Sequence, residues 1–258
     1  MKVVLLAGGF GTRLSEETTV RPKPMVEIGD QPILWHIMKL YAAHGMTDFV
    51  ICCGYKGEVI KEYFESYALR MADVTFDLGA SSVEFHGRRA EPWRVTLVDT
   101  GVDTMTGGRL LKVRDHVGDG TFCATYGDGV ADVDITRLVA FHREQKTLAT
   151  LTAVQPEGRF GAVLLQKGQT LIEHFREKPE GDGAWINGGF FVLEPQALDY
   201  IEDDMTVFEL EPLRNLARDR QLAGYRHDGF WHPMDTIRDR EHLHEMWERG
   251  SPPWKVWE

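Results

Sequence analysis

Three glycines, two cations and a pair of carboxylates are the residues of this chain whose types and spacing can do chemistry. Gly8, Gly9 and Gly11 follow directly on the apolar run Val3 to Ala7, with Phe10, Thr12 and Arg13 completing the turn. Lys23 comes ten residues later, inside Arg21-Pro22-Lys23-Pro24-Met25. Glycines let backbone N–H groups close on phosphate oxygens, and they reach the positive φ that a concave nest of N–H groups requires. Arg13 and Lys23 supply charge, so the segment reads as a polyphosphate receptor. The P-loop pattern is excluded, because Gly11 is followed by Thr12-Arg13 where Gly-Lys-Ser/Thr is needed. The Rossmann fingerprint fails as well: Leu14 stands where its third glycine belongs, and the apolar run Phe49 to Cys53 ends without an acidic residue for a ribose.

The carboxylates are Asp128 and Asp235. Asp128 sits between Gly127 and Gly129 at the end of the apolar run Phe122 to Tyr126, where it can approach a phosphate-bound cation; as a bare sequence it is also a common Asp-Gly turn. Asp235, in Phe230-Trp231-His232-Pro233-Met234-Asp235-Thr236, reads either as the N-cap of the helix that follows or as a second metal carboxylate. Mg²⁺ is usually held by one or two carboxylates together with substrate phosphates and water. Two further pieces suit a sugar phosphate. Lys178, in Glu177-Lys178-Pro179, can pair with a phosphate, while Glu177 and Asn187 can hydrogen-bond vicinal hydroxyls. A second glycine-bearing loop, Thr104-Met105-Thr106-Gly107-Gly108-Arg109, either wraps a base with its backbone amides or is only the start of a helix.

The elements that must hold these residues alternate. Asp30 is a candidate N-cap for a helix carrying Ile33, Leu34, Ile37, Met38 and Tyr41, which stops at Gly45. Strand Phe49 to Cys53 follows, then a helix marked by Val59, Ile60, Tyr63 and Phe64. Val74 to His86 breaks the alternation with a hairpin about Gly79-Ala80-Ser81-Ser82, and Val95 to Val98 resumes as strand. Asp132 and the run Ile135, Leu138, Val139, Phe141 open another helix. Shorter strands are expected at Ala149 to Val154, Ala162 to Leu165, Leu171 to Arg176 and Ile186 to Leu193. The pattern predicts an α/β fold: a mixed, mostly parallel sheet with helices on both faces, a β-hairpin excursion, and ligands at the carboxyl ends of the strands. Residues 1–258 read as one domain, with a C-terminal helix and tail from 236; Trp254 and Trp257 suggest that the tail docks on the body or on another subunit.

A net charge of −11 argues against a nucleic-acid or anionic-membrane partner, so an anionic substrate has to be met by local cations. The stretch Met1 to Ala7 is too short for an export signal, which points to the cytoplasm. Cys52, Cys53 and Cys123 lie in apolar runs without metal or disulfide spacing and read as buried structural thiols.

Leu6 to Leu14, Arg21 to Met25, Gly127-Asp128-Gly129, Glu177-Lys178-Pro179 and Asp235 together resemble the sugar-nucleotide pyrophosphorylases, nucleotidyltransferases that act on sugar 1-phosphates. The cytidylyl branch is the nearer likeness, through Trp35 to Met38, Ile51 to Gly57, Val95 to Gly101, Met105 to Leu110, Gly158 to Ala162 and Pro252 to Lys255. The resemblance implies a Rossmann-like fold and transfer from CTP to α-D-glucose 1-phosphate, giving CDP-glucose and pyrophosphate, with Mg²⁺ as cofactor and a homo-oligomer, possibly a hexamer, as the working form. It implies that the nucleotide is bound by Leu6, Ala7, Gly8, Gly9, Phe10, Gly11, Thr12 and Arg13, by Thr104, Gly108 and Arg109, and by Gly127. Arg13 and Lys23 would be catalytic, and Arg109 would read the cytosine acceptor edge. Lys23, Glu177, Lys178 and Asn187 would bind the sugar phosphate, and Asp128 and Asp235 the metal. The alternatives are the same chemistry with UTP or dTTP, or a non-catalytic subunit that senses nucleotide sugars.

Overall fold

A computed structural model describes residues 1–87, 89–156, 162–164, 174–176 and 185–257; the side chains of Arg13, Ser15, Glu16 and the two short segments are outside that description. The strands that position the site are β1 (Lys2–Leu6), β2 (Asp48–Cys53), β3 (Arg94–Asp99), β4 (Phe122–Tyr126), β5 (Gly129–Ala131), β6 (Ala149–Val154), β7 (Ile186–Leu193), β8 (Leu222–His227) and β9 (Trp231–Pro233). Seven form one sheet in the order β8-β6-β7-β4-β1-β2-β3. Only β7 is reversed: it runs antiparallel to β6 and β4, and every other neighbouring pair is parallel. The sheet is thus the mixed, mostly parallel one that the alternation of elements predicts.

Side-chain alternation along each strand feeds two cores. Val3 and Leu5 of β1, with Phe49 and Ile51 of β2, join the buried face of the helix Ile33–Ala43. Val4, Val50, Phe122 and Ala124 point the other way, toward Leu110 and Val113 after the second glycine loop and Leu213 and Leu216 of the helix Glu211–Arg218. Strands buried on both faces must be apolar throughout, which is why β1 and β2 read as continuous hydrophobic runs. Cys52, Cys53 and Cys123 are unpaired inside these runs, and burial pushes the Cys53 thiol up to about 11 and that of Cys123 up to about 12.

Several boundaries differ from expectation. Asp30 does not cap a helix: it lies in the turn between the paired segments Glu27–Ile28 and Gln31–Pro32, and Pro32 occupies the cap position before Ile33. Extended pairing at Gln31–Pro32 prevents an earlier start, in keeping with the bias against α geometry before proline. The helix Ile135–Gln145 is capped by Asp134, whose carboxylate accepts from the Arg137 N–H at 2.9 Å. The hairpin forms from Asp73–Asp77 and Ser82–His86, and Phe76, Leu78 and Val83 along it are exposed. The tail docks on its own body: Trp254 is fully buried, and its Nε1 donates to His36 Nδ1 at 3.4 Å.

Candidate nucleotide and metal site

Leu6 of β1 pairs with Tyr126 of β4, so the glycine loop and Gly127-Asp128 leave adjacent strands at the same edge of the sheet. The turn after β1 is open where phosphate chemistry needs it to be. Gly9 has no heavy atom within 4 Å of a hypothetical Cβ, while Gly11 takes φ +64° and a Cβ there would meet Thr18 at 2.8 Å and Lys23 Cβ at 3.1 Å. The Gly8 carbonyl accepts from Tyr55 N–H, and the Gly11 carbonyl from Leu14 N–H, which pins the turn at both ends. The N–H groups of Gly9, Phe10 and Gly11 have no hydrogen-bond acceptor among the described residues. Phe10 is exposed at the tip and packs against the Tyr55 ring at 5.5 Å. Thr12 begins the turn Thr12–Leu14; of Arg13 only the backbone there is described.

Lys23 occupies a single turn, Lys23–Met25, with Pro22 before it and Pro24 within it. Both prolines restrict the backbone around the lysine. Its Nζ lies 2.6 Å from Asp128 Oδ2 and 2.7 Å from Asp235 Oδ1, and the residue is only 8% exposed. Burial alone would lower the ammonium's pKa, but the Asp128 and Asp235 carboxylates outweigh it and hold Lys23 above the usual lysine range. The three groups come from far apart in sequence, and a short ladder unites them. β5 pairs antiparallel with β9, Pro233 opposite Gly129, and Met234 N–H donates to the Asp128 carbonyl at 2.8 Å, which sets Asp235 beside Asp128. Asp235 is not the N-cap of the last helix. Thr236 is, in a capping box with Asp239, whose carboxylate also receives the Asp235 N–H at 3.0 Å. The Asp235 side chain is thereby left to face Lys23. Gly127 donates its N–H to the Leu6 carbonyl and admits Pro24, whose Cγ would lie 2.9 Å from a Cβ at that position.

The second glycine loop is the start of a helix, Thr106–Lys112. Four of its amides are spent within the fold. Met105 N–H donates to the Asp204 carbonyl, Gly107 and Gly108 N–H to the Thr206 carbonyl, and Arg109 N–H to Met105. Gly108 has Asp204 backbone 2.5 Å from a hypothetical Cβ, so its lack of a side chain serves packing; Thr104 is buried and accepts from Lys112 Nζ at 3.3 Å. Arg109, expected to read cytosine, has its guanidinium buried beneath the first glycine loop. Nη1 donates to Thr100 Oγ1 and the Gly101 carbonyl at 2.7 Å each, and Nη2 to the Gly8 carbonyl at 2.9 Å and Val102 at 3.1 Å. In this arrangement Arg109 is a brace that ties three loops together, donating to the carbonyls of Gly101 and Val102 and sharing that of Gly8 with the Tyr55 N–H.

A glycine turn whose N–H groups have no acceptor among the described residues, beside a lysine shared by two carboxylates, has the chemistry to receive a polyphosphate and a divalent cation. A family model described as nucleotidyl transferase matches residues 2–236. The chain belongs to the nucleotidyl transferase family. The glucose-1-phosphate cytidylyltransferase of Salmonella typhi is 59% identical to it over 259 residues, 100% of both chains. A mannose-1-phosphate guanyltransferase of Schizosaccharomyces pombe is 31% identical over 248 residues, covering 94% of this chain and 62% of that protein. The solved structure of a UDP-glucose pyrophosphorylase from Acinetobacter baumanii superposes with a TM-score of 0.68 at 17% identity, covering 98% and 95% of the two chains, a likeness of fold.

Of the sugar-phosphate residues expected in this nucleotidyl transferase, Glu177 and Lys178 lie outside the described residues, and Asn187 is the second residue of β7. Its Oδ1 accepts from Gly189 N–H at 2.9 Å, which turns Nδ2 toward the Tyr126 hydroxyl at 3.2 Å. Tyr126 in turn donates to Glu209 Oε1, and Thr106 Oγ1 donates to Glu209 Oε2 at 2.6 Å. Sequence reasoning missed Tyr126, Glu209 and Thr106 as a group. Their separations of 83 and 103 residues leave no local pattern to read.

Proposed function

We propose that the protein transfers the cytidylyl group of CTP to α-D-glucose 1-phosphate, forming CDP-glucose and releasing pyrophosphate. The 59% identity along the whole length of the Salmonella typhi enzyme carries the choice of substrates. The site supports the chemistry. A sugar phosphate oxygen is already a nucleophile, so attack on the α-phosphorus in line with departing pyrophosphate needs alignment and charge neutralisation more than covalent help. The N–H groups of Gly9, Phe10 and Gly11 would cradle the triphosphate, and Arg13 would steady the leaving pyrophosphate. Lys23, buried and held protonated, would bridge the α-phosphate and the incoming sugar phosphate, two anions that otherwise repel. A carbonyl of cytosine reaching Arg109 would replace one of the backbone carbonyls it now serves, since the acceptor chemistry is the same.

Asp128 and Asp235 would hold Mg²⁺. They fit it, being two hard oxygen donors that already converge on one cation, the Lys23 ammonium, in a site where phosphates complete the shell. When bound, the metal neutralises charge on the phosphate oxygens. Asn187, Glu177 and Lys178 would form the sugar-phosphate half. The same reading has one catalytic domain working in the cytoplasm as a homo-oligomer, and the exposed Phe76, Leu78 and Val83 of the hairpin favour self-association. Pyrophosphate release, assayed with the four NTPs against several sugar 1-phosphates, tests the function. CTP with glucose 1-phosphate should give the highest kcat/KM, and a clear preference for UTP, dTTP or another sugar would overturn it.

A further inference from the structure

Glu209 is a half-buried carboxylate at the carboxyl edge of the sheet whose described partners are both hydroxyls. Thr106 donates to one oxygen and Tyr126 to the other, and Thr106 Oγ1 is itself fixed by Phe208 N–H at 2.9 Å. Tyr126 is the donor of its pair, since a carboxylate oxygen accepts. An ionised carboxylate offers about four acceptor sites, so two hydroxyl donors leave it with capacity. No ion pair among the described residues reaches it, in contrast to Asp128 and Asp235.

The surroundings select what such a group can receive. Phosphates would be repelled by an unneutralised carboxylate, so the part of a substrate that meets Glu209 must be neutral and rich in donors. The ring of a sugar phosphate has that character. Tyr126 directly precedes Gly127-Asp128, and Asn187, which bonds the same phenol, is the second residue of the neighbouring strand β7, so the carboxylate is linked to two adjacent strands of the site. We propose that Glu209, clamped by Tyr126 and Thr106, accepts hydrogen bonds from ring hydroxyls of glucose 1-phosphate and so determines which sugar is taken. The inference rests on glucose 1-phosphate being the acceptor.

The test maps hydroxyls against the residue. Wild type and Glu209→Gln are assayed at saturating CTP with glucose 1-phosphate and its 2-, 3-, 4- and 6-deoxy analogues. In wild type, kcat/KM should fall about 10-fold or more for at least one analogue, because a site that hydrogen-bonds a hydroxyl rejects the molecule lacking it. In Glu209→Gln, glucose 1-phosphate itself should fall by a similar factor, the penalty at that one position should vanish, and the KM for CTP should stay within about 2-fold. A penalty that persists at every position in the variant overturns the proposal. So does a rise in the KM for CTP with loss of discrimination against UTP, which would make Glu209 a reader of the cytosine amine. Equal wild-type rates with all the deoxy analogues would overturn it without any variant. Failure of the underlying reading looks different: wild type would release no pyrophosphate from CTP and glucose 1-phosphate.

Discussion

Lys23 is held by two carboxylates at hydrogen-bond distance, and its charge is the quantity on which the site turns. With its pKa held above the usual lysine range, Lys23 is protonated at neutral pH, where phosphate monoesters are largely dianions, so there it serves as a positive charge and not as a base. Replacing it with alanine removes one charge contact to the transition state, worth about 3 kcal/mol, so Lys23→Ala should lower turnover by roughly 10²-fold in a pyrophosphate-release assay. Near-normal turnover from a folded variant would sink that role. Arg109 calls for a different measurement. Its guanidinium serves the carbonyls of Gly8, Gly101 and Val102; Gly8 keeps the Tyr55 N–H, so Arg109→Ala would cost the other two their donor at up to about 1–3 kcal/mol for each group left unsatisfied. Thermal unfolding should show a drop of several degrees, and an unchanged Tm would mean that the brace contributes nothing. Lys23 was legible because Pro-Lys-Pro is a local pattern. Arg109's part was not, since its Gly8 acceptor lies 101 residues away and nothing near Arg109 announces it.

At the scale of elements, the pairing of β5 with β9 brings the two aspartates together, and the fit of Gly127 against Pro24 sets their distance from Lys23. A Cβ at Gly127 would lie 2.9 Å from Pro24 Cγ and 3.1 Å from the Leu6 carbonyl, so either the proline turn or the strand end has to shift. Because a misplacement of about 1 Å can cost up to 10²-fold, Gly127→Ala should lower kcat by roughly 10-fold or more while most of the stability is retained. Gly120→Ala, where an added Cβ meets nothing within 4 Å, is the matched control and should keep wild-type kcat. Equal kcat for the two variants would dissociate the glycine from catalysis. The long apolar strands were legible: β6 and β7 begin and end where alternation and turn residues place them. The three-residue strands β5 and β9 were not, because so short a pairing is decided by partners about a hundred residues apart and leaves no periodicity. The Asp30 cap differs, and the cap alternative for Asp235 falls, for a related reason. Asp30 and Asp235 have the right side chain for a cap, but extended pairing at Gln31–Pro32 and the Thr236–Asp239 box fix the helix starts elsewhere.

At the scale of the whole molecule, the C-terminal tail is locked to the first helical layer through one neutral histidine. His36 Nε2 lies 2.9 Å from the Ile28 carbonyl, so it carries the proton, and Nδ1 is left to accept from Trp254. The Trp254 bond therefore requires the neutral ring, whereas the Ile28 bond would survive protonation. Burial drives the His36 pKa down from its ordinary value to about 4. The unfolded chain, titrating near 6.5, binds a proton more readily than the fold does, so stability rises with pH wherever that difference persists. The contribution is complete above pH 6.5 and is lost as pH falls, by about 2 kcal/mol at pH 5 and about 3 kcal/mol near pH 4. His44 and His142, whose pKa values burial also lowers, add slopes of the same sign, so the wild-type profile alone does not isolate His36. The difference between wild type and His36→Gln does. Urea unfolding from pH 7.5 to 4.5 should show the wild type losing stability faster than the variant, with the gap closing by roughly 2 kcal/mol across pH 6.5 to 5. Parallel profiles would mean that the imidazole takes up its proton in the fold as readily as in the unfolded chain, against the burial that holds Nδ1 free to accept from Trp254.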